Sequence, residues 1–420
     1  MNSYRESRKE RHARIKKQRA RKLKQLAGVG LLVIIGLGCM LALTVAMRTV
    51  ENQPDLVSPP NESVTPTSPL EPNHEQKKKN IEAKDESSKY VTPPSQDPIR
   101  IVFAGDALMD WSVKETIRKK GPDYPFEYVK DEVSSADFAV VNLETAITHH
   151  TEKDTNQLYN FKSDPESLQG IKNTGFDLVT IANNHTLDFK QKGFLDTLSY
   201  LEQYDIPYVG GGRNKEEAYR AHTVKIKGQT IKILAFSRFI PQTYWFAGEK
   251  RPGIAEAYNK SSVLPVIKRE RKDCDYLLVY LHWGVEKSHR PEPWQRTYAR
   301  EIIDAGADAI IGSHVHVLQG FEFYKGKPIA YSIGNFLFPD YVRGDKADTG
   351  LLNLTLDQGD ISMHFTPYFI YKDQIIKKDE AYDRKQLKYL ESISFDVKMD
   401  GKQVRDAVKA NGRATAPPTR

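Results

Sequence analysis

The chain has 420 residues, a formal net charge of +7 and two cysteines. This length accommodates one large domain, or two ordinary ones, together with tails. Residues 1–25 hold eleven Lys or Arg and two Glu, so the rest of the chain is close to neutral. That distribution argues against a nucleic-acid-binding face on the folded part. Two cysteines indicate a fold that does not depend on disulfides.

An apolar segment without charges follows the basic tail. It covers residues 26–47, and at ~1.5 Å per residue it can cross a ~30 Å hydrocarbon core. A cleaved signal peptide is the alternative, but its apolar part is only about 7–15 residues long and ends at a small-residue cleavage site. We predict a single-pass membrane helix, with the N-terminus in the cytoplasm and the C-terminal domain outside the cell membrane, because the basic flank precedes the helix.

The next part of the chain is rich in proline and poor in apolar residues. Residues 48–98 contain nine of the 23 prolines, a composition typical of an extended linker that does not fold. We therefore predict an extracytoplasmic linker over 48–98 and a folded domain over 99–380. Residues 381–420 are predicted to be a C-terminal extension that is partly disordered.

Within the predicted domain, apolar strands alternate with amphipathic helices. In chain order, strands are predicted at "IRIVFAG", "DFAVVNLE", "DLVTIANN", "IPYVG", "DYLLVYLHWG" and "ADAIIGSHVH". Helices are predicted at "VKETIRKK", "DPESLQGIKNTG", "KGFLDTLSYLEQYD" and "EPWQRTYAREIIDAG". Antiparallel pairs are predicted at "VKIKGQTIKILAFS", "FEFYKGKPIAYSIGNF" and "GLLNLTLDQGDISMHFTPYFI". The pattern predicts an α/β fold with mixed sheets that are flanked by helices.

Five of the predicted strands end in a carboxylate, an amide or a histidine. These strand ends are Gly105-Asp106, Asn142-Leu143-Glu144, Asn183-Asn184-His185, His282-Trp283-Gly284 and His314-Val315-His316. A single polar residue at a strand end is often a turn former or a helix cap. Ligands of α/β sheets, however, bind outside the carboxyl ends of the strands, so five such ends predict one shared site. Mixed oxygen and nitrogen ligands suit one or two divalent ions of the Mn, Fe or Zn class.

The sequence around these strand ends resembles that of the bacterial CapA family, the capsule and poly-γ-glutamate biosynthesis proteins. The resemblance is carried by "AGD", "NLET", "IANNHTLDF", "LHWGVE" and "GADAIIGSHVHVLQGFEFYKGKPIAYSIGNFLF". It extends from about Ile99 to Phe338. It implies a layered sandwich related to the calcineurin-like metallophosphoesterases, in a protein anchored at the cell surface.

The metallophosphoesterase pattern also implies roles for individual residues. The implied metal ligands are Asp106, Glu144, Asn184, His282, His314 and His316. His185 is implied as the acid toward the leaving group, and Asp188 either orients His185 or caps the following helix. The chain departs from the pattern in two places, since Leu108 replaces a histidine and Glu144 replaces the usual bridging aspartate. A single metal, or a weakened second site, therefore stays an alternative to two metals.

The sequence leaves three functions open. The resemblance implies a membrane-anchored component of capsule or poly-γ-glutamate synthesis and export, with an anionic polymer and polymer synthase or export subunits as partners. An extracytoplasmic metal-dependent phosphoesterase or hydrolase with another substrate is the second function. A non-catalytic scaffold for a polymer synthase is the third. Nucleic acid is not expected as a partner in any of them.

Overall fold

The computed structural model describes residues 97–410. The predicted basic tail, the membrane helix, most of the linker and the last ten residues lie outside this range. Within it, none of the helices combines the length and the apolar character that a membrane span requires.

The strands of the described part have lengths from two to twelve residues. In chain order they are β1 (Ile99–Ala107), β2 (Phe138–Leu143), β3 (Ala146–Ile147), β4 (Lys162–Ser163), β5 (Leu178–Thr180), β6 (Tyr208–Val209), β7 (Gly211–Gly212), β8 (His222–Ile226), β9 (Gln229–Ser237), β10 (Gly253–Ile254), β11 (Tyr276–Trp283), β12 (Ala309–His314), β13 (Phe321–Tyr324), β14 (Lys327–Ala330), β15 (Asn335–Leu337), β16 (Asp348–Asp357), β17 (Asp360–Tyr371), β18 (Gln374–Ile376), β19 (Val397–Asp400) and β20 (Gln403–Asp406).

The α-helices alternate with these strands in the first two thirds of the domain. They are α1 (Trp111–Lys120), α2 (Lys130–Ser134), α3 (Ser167–Thr174), α4 (Lys190–Gln203), α5 (Lys215–Ala218), α6 (Lys260–Glu270), α7 (Pro293–Asp304), α8 (Glu380–Ile393) and α9 (Ala407–Ala410). Helix α3 ends at Gly175, whose left-handed conformation stops the helix at the predicted residue.

Two mixed sheets contain most of the strands. The larger sheet has the order β19-β20-β17-β16-β1-β2-β5-β6, with β15 beside β1 and β18 beside β17. The smaller sheet has the order β13-β14-β12-β11-β9-β8. In both sheets a parallel centre, β1-β2-β5-β6 or β9-β11-β12-β14, is extended by antiparallel strands. The prediction of a mixed α/β fold is therefore confirmed.

The apolar side chains of β1 and β11 show how the layers pack. Ile101 and Phe103 of β1 share one cluster with Leu278 and Tyr280 of β11, between the two sheets. The alternate residues of each strand point the other way, as the period of two requires. They pack against α1, α3 and α4 on the larger sheet and against α6 and α7 on the smaller one. The order of layers is helix, sheet, sheet, helix.

The folded unit continues beyond the boundary that the sequence predicts at residue 380. Strand β20 pairs with β17 and so extends the larger sheet. Helix α8 buries Leu387 and Leu390 in the cluster between the sheets. Residues 381–410 therefore belong to the folded unit, because they complete the core and the sheet.

A substitution in α8 tests this assignment. We expect Leu390→Ala to lower the free energy of unfolding by about 2–5 kcal/mol, the usual cost of removing a buried leucine side chain. Urea unfolding of the purified full chain in mild detergent measures the change. Lys388→Ala is the matched control, since Lys388 lies on the exposed face of the same helix. Equal stabilities of the two variants would show that α8 is dispensable for the core.

Candidate metal centre

The carboxyl ends of the parallel strands of both sheets meet at one place. In the larger sheet Asp106 of β1 pairs with Asn142 of β2. In the smaller sheet Trp283 of β11 pairs with His314 of β12. The His314 N–H donates a hydrogen bond to Asp106 Oδ2 over 3.0 Å, which joins the two sheets at this point. The five predicted strand ends are thereby brought to a single crevice.

Three of the predicted ligands surround the His282 ring. His282 Nε2 lies 2.6 Å from Asn184 Oδ1 and 3.1 Å from His314 Nδ1. It also lies 3.5 Å from Glu144 Oε1. Glu144, His282 and His314 are fully buried, and each offers a ligand atom within 4.8 Å of the others. This group forms the first candidate metal position.

A second group shares Glu144 with the first. Asp106, Glu144 and His316 also offer ligand atoms that lie within 4.8 Å of one another. Asp106 Oδ2 is 3.9 Å from His316 Nδ1. Leu108 is fully buried in an apolar cluster and supplies no ligand to this group. Glu144 therefore takes the place that the resemblance implies for a bridging carboxylate.

Several buried polar atoms of these groups have no hydrogen-bond partner within residues 97–410. They are both carboxylate oxygens of Glu144 and Nε2 of His314. Buried polar atoms in proteins are almost always paired, because an unpaired one costs about 1–3 kcal/mol. A cation bound between the Glu144 oxygens and the His314 nitrogen would pair all three atoms. The donor set of carboxylate, amide and imidazole thus fits a divalent metal of the Mn, Fe or Zn class.

Burial controls the protonation of the ligands. Burial, with the neighbouring histidines, lowers the pKa of His282 and of His314 well below the usual range. Both rings are therefore neutral near pH 7, which is the form that binds metal. Burial, together with the Asp106, Glu286 and Asp188 carboxylates, raises the pKa of Glu144 well above its usual range. A bound cation would offset that cost and favour the ionised form.

Two asparagines orient the ligands. The Asn142 amide donates to Asp106 Oδ1 over 2.7 Å and accepts from the Thr180 hydroxyl over 2.9 Å. Asn335 Oδ1 lies 2.8 Å from His316 Nδ1, so Nδ1 carries the proton. The unprotonated Nε2 of His316 is then free to bind a metal ion. The sequence predicts no individual role for either amide, although Asn142 belongs to one of the five predicted strand ends and Asn335 lies in a stretch that carries the family resemblance.

The turn after β12 explains the spacing of the two histidines. His314 and His316 both have positive φ angles, 93° and 60°, which cost non-glycine residues of order 1–3 kcal/mol each. Strained residues of this kind concentrate at functional sites. Gly312 precedes them, and a Cβ at that position would lie 2.0 Å from the Tyr331 carbonyl oxygen. Only glycine allows this approach, which brings the turn to the crevice.

His185 and Asp188 form a separate pair beside the metal ligands. His185 Nδ1 lies 2.8 Å from Asp188 Oδ2. The Asp188 carboxylate also accepts the Phe161 N–H over 2.7 Å and the Gln157 side-chain amide over 3.3 Å. Helix α4 begins after Phe189 without a side-chain cap, so Asp188 orients His185 and does not cap the helix.

A pocket opens onto this centre. His185 and His316 lie in its wall together with Phe161, Asn335 and Phe338, and its volume is about 350 Å³. The remaining lining residues are Trp111, Tyr159, Glu286, Lys287, Tyr341, Val342 and Lys346. They come from segments that are distant in the chain, mostly loops, together with the first residue of α1. No period or spacing in the sequence links them, so the pocket lining is not predictable from the sequence.

The family described as "Bacterial capsule synthesis protein PGA_cap" matches residues 100–340, more than half of the chain. The chain belongs to this family. It is similar to "PGA biosynthesis protein CapA" of Bacillus subtilis (strain 168), with 33% identity over 247 residues that cover 58% of this chain and 64% of the relative. It is also similar to "Capsule biosynthesis protein CapA" of Bacillus anthracis, with 30% identity over 58% of this chain and 60% of the relative. The matches thus span less than two thirds of these family relatives.

Solved structures that resemble the fold include calcineurin-like phosphoesterase YfkN from Bacillus subtilis. It shares 13% identity at a TM-score of 0.35, over 70% of this chain and 98% of that chain. Haemophilus influenzae NAD nucleotidase shares 12% identity at a TM-score of 0.39, over 76% of this chain and 66% of that chain. At these TM-scores neither likeness carries an argument about the site.

The state of Glu144 gives a testable prediction. The pKa of the Glu144 carboxyl is higher in the folded state than in the unfolded state, where it is about 4.3. The metal-free protein therefore loses stability as the pH rises above the unfolded-state pKa. Without metal we expect Glu144→Gln to be more stable than the parent by about 1–3 kcal/mol, and more so at pH 8 than at pH 5. With Mn²⁺ or Zn²⁺ the parent should gain stability and Glu144→Gln should not.

Thermal and urea unfolding in the presence of EDTA, and then of each metal, make this comparison. Glu322→Gln is the matched control, because the buried Glu322 carboxylate accepts hydrogen bonds from Arg296, Arg300 and Tyr331. Its loss should destabilise the protein with and without metal. A Glu144→Gln variant that behaves in the same way would contradict a metal-binding role of Glu144.

Proposed function

We propose that this protein acts in capsule or poly-γ-glutamate synthesis as a metal-dependent hydrolase of the metallophosphoesterase type. Asp106, Glu144, Asn184, His282, His314 and His316 would hold one or two divalent ions. The family membership supports the process, and the donor set supports the chemistry. The single observation that carries the proposal is the buried Glu144 carboxylate, which has no hydrogen-bond partner among the described residues and is common to both ligand groups.

The chemistry of the site follows from the positions of its side chains. Bound divalent ions act as Lewis acids toward a phosphoryl or carbonyl oxygen and lower the pKa of a bound water. His185 would donate a proton to the leaving group. Its Nδ1 is held by Asp188, and its ring lies in the wall of the pocket. The buried Asp188 carboxylate would keep that ring in one tautomer and orientation.

The proposed location is the outer face of the cell membrane. The uncharged segment 26–47 and the basic residues before it support a single-pass anchor with the C-terminal domain outside. An anionic polymer such as poly-γ-glutamate, and synthase or export subunits, are the proposed partners. The names of the Bacillus relatives, which refer to capsule and PGA biosynthesis, support this assignment.

Substitution of His185 separates metal binding from catalysis. We expect His185→Ala to keep the metal content of the parent and to lose activity by ~10²–10⁴-fold, the usual contribution of a general acid. His314→Ala should lose metal and activity together, because its Nε2 is a ligand. Elemental analysis and hydrolysis of bis-p-nitrophenyl phosphate by the purified full chain measure both quantities. His149→Ala is the matched control, since His149 is exposed outside the site.

The result also distinguishes the hydrolase from a non-catalytic scaffold. Polymer output should be measured in cells that carry each variant in place of the parent protein. Full output from cells with His185→Ala and with His314→Ala would overturn the hydrolase and leave a scaffold as the better account. A parent protein that takes up no Mn, Zn or Fe after reconstitution would contradict the metal site itself.

Protease treatment tests the proposed topology. In cells from which the wall has been removed, added protease should cut within residues 48–96 and release the folded domain, because the proline-rich linker would be exposed outside. Immunoblotting of the supernatant detects the product, and a cytoplasmic protein serves as the control for lysis. A domain that stays protected in intact protoplasts would place it on the cytoplasmic side.

A further inference from the structure

Aromatic rings form a continuous arc around the pocket at the candidate metal centre. Phe161 packs 4.6 Å from the His185 ring and 5.2 Å from Trp111. Trp111 lies 5.4 Å from Tyr341. Phe338 lies 6.4 Å from Tyr341 and 5.1 Å from His316. The arc, made of Phe161, Trp111, Tyr341 and Phe338, therefore runs from one histidine of the centre to the other.

The middle of this arc is open to solvent and is not part of the core. Trp111 is 45% exposed and Tyr341 is 51% exposed, whereas the outer members Phe161 and Phe338 are buried. Trp111 also has a φ of 51°, a conformation that bulky residues rarely adopt. Exposing aromatic rings to water is unfavourable, because their apolar surface is then not buried. A contiguous group of exposed rings beside a crevice of polar residues is therefore typical of a ligand subsite.

The charged residues of the pocket favour an anionic ligand. Lys287 and Lys346 lie in its wall, and neither forms an ion pair or a side-chain hydrogen bond with any residue between 97 and 410. Glu286 is the one acidic residue of the wall, so the lining carries a net positive charge. The Asn335 amide adds a neutral polar group. An apolar lipid chain would not suit these charged walls.

The angles between the aromatic rings favour a ligand that packs against the face of one ring over a ligand that is inserted between two parallel rings. Trp111 meets Phe161 at 70° and Tyr341 at 53°. Tyr159 and Phe161 are parallel, but their centres are 6.3 Å apart, which is less than the ~7 Å that a ring inserted between them requires. A pyranose ring packs its C–H face against one aromatic face and directs its hydroxyls to polar groups around it, and this arrangement suits the pocket.

We propose that this pocket is a sugar subsite, and that the ligand of the centre is a phosphate ester with a six-membered sugar ring next to its phosphoryl group. Trp111 and Tyr341 would pack against the sugar ring. Lys287 and Lys346 would bind anionic groups of the ligand. The phosphoryl group would lie toward His185 and His316. The inference rests on the proposed metal-dependent function, and it adds the class of leaving group that the pocket accepts.

Binding of three phosphate esters to the metal-loaded full chain tests the subsite. The probes are glucose 1-phosphate, uridine 5′-monophosphate and the acyclic glycerol 1-phosphate, titrated by calorimetry in mild detergent. We expect glucose 1-phosphate to bind at least about tenfold more tightly than glycerol 1-phosphate, the effect of one stacked ring. Trp111→Ala and Tyr341→Ala should each remove most of this preference. Neither substitution should change the metal content or the affinity for glycerol 1-phosphate.

Tyr128→Ala is the matched control, because Tyr128 is 47% exposed and lies outside the pocket. Equal affinities for glucose 1-phosphate and glycerol 1-phosphate, or a preference that survives both substitutions, would overturn the sugar subsite and leave the metal-dependent function standing. Tighter binding of uridine 5′-monophosphate than of glucose 1-phosphate would assign the pocket to a planar base and overturn the sugar. No binding of any probe by protein that retains its metal would refute the proposed function, and the subsite with it.

Discussion

The hydrogen bond from the His314 N–H to Asp106 Oδ2 joins the two sheets at the carboxyl ends of β1 and β12. This hydrogen bond lies at the strand ends because the central strands of each sheet are parallel, and neighbouring parallel strands end at the same edge of the sheet. Packing the two sheets face to face brings the two edges together. Carboxylates from one sheet and imidazoles from the other then meet in a crevice that neither sheet could form alone. The candidate metal ligands, the His185–Asp188 pair and the pocket all depend on this meeting of strand ends.

This arrangement has an electrostatic cost that defines the chemistry of the site. The side chains of Asp106, Glu144 and His282 have no exposure to solvent. Burial raises the pKa of both carboxyls and lowers the pKa of the imidazole. Hydrogen bonds from Asn142 and from the His314 backbone offset part of this cost at Asp106. Within the described residues, no hydrogen bond reaches the Glu144 carboxylate. A cation that binds this carboxylate only in the folded state would therefore stabilise the protein.

Two functional layers can be distinguished around the crevice. The inner layer of carboxylates, amides and histidines belongs to strand ends, and backbone strain at His314 and His316 fixes part of it. The outer layer consists of Trp111, Tyr341, Lys287 and Lys346, and the two lysines form no ion pair with residues 97–410. Tyr341 and Lys287 lie in loops, whereas Trp111 begins α1 and Lys346 ends a short 3-10 helix. Strand ends in a packed core hold ligands in a fixed geometry, whereas loops vary more readily and adapt a site to its substrate. Under the proposed function, the inner layer would account for the type of reaction and the outer layer for the choice of ligand.

The sequence by itself determined the elements and the inner layer. Apolar runs of period two and amphipathic helices predicted the mixed α/β fold, because both patterns are local. Polar residues at the ends of the apolar runs identified Asp106, Glu144 and His282 as neighbours, because parallel strands end at the same edge of a sheet. Only the tertiary structure decided the rest. The core continues past residue 380, since α8 packs its leucines between the sheets. Asn142 and Asn335 orient the candidate ligands, and the aromatic arc assembles from the start of α1 and from separate loops. These features depend on contacts between distant segments, and such contacts leave no period or spacing in the chain.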